Sequence, residues 1–152
     1  MTRLRVLVLS VKSRRRRRFP KARNIATKRL QIGERRMSIE RHDIGARMSK
    51  AVVHGNTVYL AGIVADAPKG KGTGEQTKDI LRQIDGFLAK AGTDKSKLLS
   101  ANIWITDMAN FADMNAVWDA WVAPGNTPAR ATVEARLASP DYKVEIMVVA
   151  AK

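Results

Sequence analysis

The run Val144-Glu145-Ile146-Met147-Val148-Val149-Ala150 contains one polar residue, and it constrains the fold more than any other segment. A strand wetted on one face alternates apolar and polar positions. One that is apolar almost throughout is buried on both faces. Helices of the same chain can cover one face, but the periodicity upstream offers only two helices. The second face is therefore expected to meet another subunit, which makes the chain a homo-oligomer.

The remaining elements follow from periodicity and turn chemistry. Arg47 to Val53 and Thr57 to Val64 read as strands joined by the turn His54-Gly55-Asn56. Ala65 to Gly74, with Pro68 and three glycines, reads as a loop. In Glu75 to Ala91 the residues Thr77, Ile80, Leu81, Ile84, Leu88 and Ala91 recur at helical spacing, and Gly92 stops the helix. Leu98 to Ile105 is a strand with Ile103 and Ile105 on one face and Trp104 on the other. Phe111, Met114, Val117, Trp118 and Trp121 form the stripe of a second helix, ended by Pro124-Gly125. Ala131 to Leu137 alternates as a strand again. The order β-β-α-β-α-β-β is an α+β layout in which both helices can cover one sheet face.

Charge divides the chain. Residues 1–36 hold 14 Lys and Arg against the single acid Glu34, a net of +13, whereas residues 37–152 carry only +1. Two parts are expected: a basic N-terminal extension, 1–36, and a nearly neutral domain, 37–152. The five arginines Arg14 to Arg18 repel one another and favour disorder. Nucleic-acid binding, a transit peptide, and an upstream stretch before a true start at Met37 are the three readings of the extension. Val6 to Leu9 is far too short an apolar run to span a bilayer, and a cytoplasmic location is expected.

The chain has no cysteine and two histidines, His42 and His54, which excludes thiolate chemistry, disulfides and a histidine-based metal centre. No metal and no cofactor are expected. Glu145 stands out, because an unpaired carboxylate in an apolar strand costs several kcal/mol or has its pKa driven up. A carboxyl of that kind is a good proton shuttle near neutrality; the alternative is a structural acid paired with a base. Arg130, following Pro128-Ala129, suits bidentate capture of a carboxylate. Its alternative is an ion pair with Glu145 or Glu134. If a tight turn at Ala138 to Asp141 made a hairpin, Glu145 would lie near Glu134 and about 13 Å from Arg130. Arg130 and Glu145 would then meet only through a register shift or across a subunit boundary. The Gly70, Gly72 and Gly74 segment lacks the Gly-Lys-Ser/Thr ending of a phosphate loop, and Trp118 and Trp121 read as core.

Ile44-Gly45, Val58-Tyr59-Leu60-Ala61-Gly62, Gln76-Thr77, Phe111-Ala112-Asp113-Met114-Asn115, Pro128-Ala129-Arg130 and Val144-Glu145-Ile146 together resemble the RidA/YjgF family of enamine/imine deaminases. The resemblance covers residues 40–151. It implies a chorismate-mutase-like fold, with a mixed sheet carrying two helices on one face, and a homotrimer with clefts between subunits. It further implies cofactor-free hydrolysis of 2-imino or 2-enamino acids to 2-oxo acids and ammonia. Arg130 would hold the substrate carboxylate and Glu145 would position or activate water. The backbone near Gly62 would anchor the ligand, and Asn115 and Thr132 would line the cleft. Where many members have Ile-Gly-Pro-Tyr, this chain has Ile44-Gly45-Ala46-Arg47, so a cation replaces a tyrosine hydroxyl. Thr132 stands where cysteine or serine is common. These departures resemble a sister subfamily more than RidA proper, with Arg47 touching the substrate or pairing with Glu145. The competing functions are a non-catalytic trimer that binds or senses 2-oxo acids, and nucleic-acid binding through residues 1–36.

Overall fold

The computed structural model describes residues 38–152. The expected basic extension, 1–36, lies outside the described residues. The elements are β1 (Ile39–Ile44), β2 (Ser49–His54), β3 (Thr57–Leu60), α1 (Thr73–Lys90), β4 (Leu98–Ile105), α2 (Phe111–Trp121), β5 (Ala129–Glu134) and β6 (Val144–Ala151). The six strands form one sheet in the order β1-β2-β3-β6-β4-β5. All neighbours are antiparallel except the pair β4 and β5. The architecture is the expected mixed α+β.

Two expectations are corrected. The order is β-β-β-α-β-α-β-β, because Ile39–Ile44 is a strand that the pattern reading left out. Its sequence, Ile-Glu-Arg-His-Asp-Ile, carries charge where an amphipathic strand would be apolar, and all its residues except His42 are exposed. It is an edge strand held by its ladder to β2, and charge on an edge is a common guard against further pairing. The second correction concerns the last two strands, which do not form a hairpin. β4 lies between β5 and β6, so the chain from Glu134 to Val144 crosses over a strand. The 13 Å spacing argument therefore does not apply.

β6 positions the rest. Val144, Ile146, Val148 and Ala150 face the helices and are no more than 1% exposed. They meet Ile80, Leu81, Ile84 and Leu88 of α1, the stripe expected from their spacing. α1 packs on β2, β3 and β6, and α2 packs on α1, with Met114 and Trp118 buried. The alternate residues Glu145, Met147, Val149 and Ala151 lie on the other face and are half-buried. Among the described residues no helix covers that face; on it Ile39, Tyr59 and Val133 are 52%, 47% and 50% exposed. Among the described residues no helix is long and apolar enough to cross a membrane.

A candidate active site in two halves

Strand alternation sets Glu145 on the uncovered face, opposite Trp104 of β4. Its carboxylate lies against the backbone of Gly62, just beyond β3. A Cβ on Gly62 would collide with the Glu145 carboxylate and come within 3.0 Å of its Cδ. The glycine is required here by close approach rather than by backbone angle. The neighbouring residues lock the arrangement: Ile63 N–H donates to the Ile146 carbonyl at 2.9 Å, and Ile146 N–H donates to Ile63 at 3.0 Å. Glu145 and Gly62, far apart in sequence, thus form one half of a site.

The other half is built on the helix side of the edge strand β5. Arg130 and Thr132 are two residues apart on one strand and share a face. The Arg130 guanidinium lies 5.2 Å from the centroid of the Trp118 ring, a cation–π contact with α2. Asn115 sits one turn before Trp118 on α2. The Asn115 Oδ1 and Thr132 Oγ1 atoms are both buried and have no hydrogen-bond partner. Each such orphan costs about 1–3 kcal/mol, a cost that a ligand's polar groups can relieve. Arg130 forms no ion pair among the described residues, so neither Glu145 nor Glu134 neutralises it. Glu134 instead accepts the Met108 N–H at 3.0 Å. A free guanidinium, an amide oxygen and a hydroxyl together can grip a planar carboxylate and its neighbouring polar atoms.

The chain does not join these halves. Arg130 is registered with Ala101, and Glu145 with Trp104, three residues further along β4. That is about 10 Å along the strand, on opposite faces of the sheet and with β4 between them. Arg47 is exposed in the turn between β1 and β2, where the Gly45 N–H bonds the Met48 carbonyl at 2.8 Å. It makes no ion pair with Glu145. The Ala61 N–H donates to Lys50 at 3.0 Å, so this turn and Gly62 lie at the same end of the β2–β3 pair. Arg47 is thus at the same end of the sheet as Gly62.

A cavity of about 790 Å³ contains none of Arg47, Gly62, Asn115, Arg130, Thr132 and Glu145. It lies at the far end of β5, where Glu134 is spent on Met108 and Lys143 Nζ on the Pro140 carbonyl at 3.2 Å. Pattern reading also missed two contributors. Trp118 was expected only as core, yet it is the platform under Arg130. Gln76 was part of a motif without a role, although a polar residue four before Ile80 on the apolar stripe was a usable signal. Among the described residues no cluster of His, Asp or Glu is arranged to hold a metal ion.

Comparison with known proteins adds to this geometry. Residues 39–152 match the family described as Endoribonuclease L-PSP. The chain is 47% identical over 115 residues to the RutC family protein YoaB of Escherichia coli K12, covering 76% of this chain and 99% of that protein. A crystal structure of a YjgF-family protein from Neisseria meningitidis superimposes with a TM-score of 0.74 at 48% identity, covering 77% of this chain and 97% of that one. Further off, at 29% identity over 107 residues, is Reactive Intermediate Deaminase A, chloroplastic, of Arabidopsis thaliana, with 67% of this chain and 57% of that protein covered.

Proposed function

Because this chain belongs to the Endoribonuclease L-PSP family, the YjgF/RidA family, we propose that it hydrolyses reactive 2-imino and 2-enamino acids to 2-oxo acids and ammonia. The observation that carries the reading is the pair of half-sites that one chain cannot close on itself. Arg130, Asn115 and Thr132 of one copy complement Gly62 and Glu145 of another. The uncovered face bearing Tyr59, Val133, Met147 and Val149 supplies the apolar surface for such an assembly, read here as a homotrimer with a cleft at each boundary.

The chemistry asks little of the protein. A protonated imine is already electrophilic, so the site needs to hold it, deliver water and move a proton. Arg130 binds the substrate carboxylate. Glu145 orients the water and takes its proton as the carbon–oxygen bond forms. The proton then passes to the amino nitrogen; as the carbon–nitrogen bond breaks, the new hydroxyl gives its own proton to the departing ammonia, and the products are the 2-oxo acid and ammonium. Neither a metal nor a covalent nucleophile enters these steps. Arg47 gives the cleft a second cation and favours imines with an additional anionic group.

An amino-acid oxidase assay tests this with the full chain. Imines are generated in the presence of semicarbazide, and semicarbazone formation is followed. Suppression by the wild type that is lost in Arg130→Ala and Glu145→Ala, with both variants folded and assembled, is the expected result. No suppression on any imine, together with binding of 2-oxo acids, would replace hydrolysis with a sensing role. An Arg47→Tyr variant equally active on acidic and neutral imines would remove the selective role of Arg47. The competing reading, nucleic-acid binding through residues 1–36, predicts an affinity that falls steeply with salt and with removal of those residues.

A further inference from the structure

Gln76 lies in the first turn and a half of α1 and is fully buried. Its Nε2 donates to the carbonyls of Pro68 at 3.1 Å, Lys71 at 3.1 Å and Asp141 at 2.8 Å. Its Oε1 accepts the Lys143 N–H at 2.9 Å. Three carbonyls on one side and one N–H on the other leave no choice in the orientation of the amide. All four partners are backbone, and they belong to two loops: the one leaving Gly62 toward α1, and the one entering β6 before Glu145.

Those loops are the two chain ends of the Gly62–Glu145 contact. On one side of Glu145, Ile146 is fastened to Ile63 by the paired backbone bonds. On the other, Lys143 is held by Gln76 through its N–H and by Thr106 through its carbonyl, which accepts the Thr106 N–H at 3.0 Å and hydroxyl at 3.4 Å. Lys143 is two residues from Glu145, about 7 Å of extended chain. Without Gln76 the Lys143 N–H would lose its partner, and the loop at Pro68 and Lys71 would lose its tie to Asp141 and Lys143 at the entry to β6.

We propose that Gln76 is a positioning residue for Glu145, closing the two loops around the Gly62–Glu145 contact and so setting where the carboxylate stands. The inference rests on the proposed role of Glu145 in hydrolysis. Gln76 touches no substrate and does not contact the Arg130 half. Its loss should therefore lower kcat and leave KM nearly unchanged. A misplaced catalytic group of this kind costs about tenfold to a hundredfold in rate.

The test uses Gln76→Met and Gln76→Glu in the full-length chain. Gln76→Met keeps the volume and removes all four bonds; a tenfold or greater fall in kcat with KM within about threefold of wild type is expected. If that variant fails to fold, Gln76→Glu decides, because an oxygen still accepts from Lys143 in either protonation state. When protonated, the introduced carboxyl can donate to Asp141; when ionised, it faces carbonyl oxygens. Its kcat should hold at low pH and fall as pH rises through a pKa that burial pushes up, a new limb absent from the wild-type profile. Adding Gln76→Glu to Glu145→Gln should cost nothing further. An unchanged pH profile, a multiplicative double variant, or a KM that rises as much as kcat falls would each overturn the proposal. Should the wild type hydrolyse no imine, the functional reading fails separately. The 13C signal of the Glu145 carboxyl then remains as the readout: movement with the titration of Gln76→Glu sustains the positioning role, and a fixed signal ends it.

Discussion

The two faces of β6 are made by one stretch of chain and have different fates. Toward the helices, Val144, Ile146, Val148 and Ala150 are sealed by residues of the same chain. Toward the other side, Glu145, Met147 and Val149 stay half-buried, with no helix of the described residues over them. The carboxylate of the candidate site is on the unfinished face. The cation of that site is on the finished side, at the sheet edge over Trp118. A strand can thus serve stability with one set of alternate residues and leave chemistry and assembly to the other.

The largest expected effect is on catalysis. Glu145→Gln should lower kcat for imine hydrolysis by about a hundredfold to ten-thousandfold, the range for losing a positioned acid–base group, with no loss of fold. Turnover close to wild type in a steady-state assay would detach the unfinished face from the chemistry.

The next prediction compares neighbours on the strand. Ile146→Ala should cost about 2–5 kcal/mol of chain stability, as a cavity in a sealed core does. Met147→Ala should cost clearly less at low protein concentration, yet weaken self-association. Urea unfolding and sedimentation equilibrium measure the two. Equal losses of stability in dissociated protein would erase the distinction between the faces.

Arg130→Lys sharpens the comparison from the other half. Lysine keeps the charge and loses the planar fork, so KM should rise about tenfold with little change in kcat. A fall confined to kcat would instead give Arg130 a part in the proton steps.

The smallest effect is a control on the helix layer. The Asp79 carboxyl is held below its ordinary pKa, first by its hydrogen bond from Arg82 and next by the Asp66 N–H. A depressed folded-state pKa contributes stability that is present above the unfolded value, about 3.9, and is lost as pH falls through the folded one. Asp79→Asn should therefore be slightly less stable at neutral pH and converge with wild type under acid. Thermal melts across that range would reveal a wrong sign at once.

Legibility differed by element for physical reasons. α1 could be read from Ile80, Ile84 and Leu88, because a helix against one core face must repeat every three to four residues. The pairing of β2 with β3 was legible from its glycine turn. β1 was not, because an edge strand is held by backbone ladders that leave no apolar signature in Ile39–Ile44. The reach of β3 and β5 was overestimated at Val64 and Leu137, where apolar residues continue after the ladder has ended. In the site, Arg130, Glu145, Asn115 and Thr132 could be named by motif, but their distribution over two faces could not.

By itself the sequence determined which residues are apolar on which side of each strand and helix, because side-chain period follows directly from backbone geometry. It also determined that β6 is apolar on both faces apart from Glu145. Tertiary structure alone decided that β4 enters between β5 and β6, that Gly62 receives the Glu145 carboxylate, and that Gln76 ties its neighbouring loop to one 65 to 67 residues away in order. These depend on contacts between distant segments, whose pairing is a property of the whole packed chain and is written in no local period.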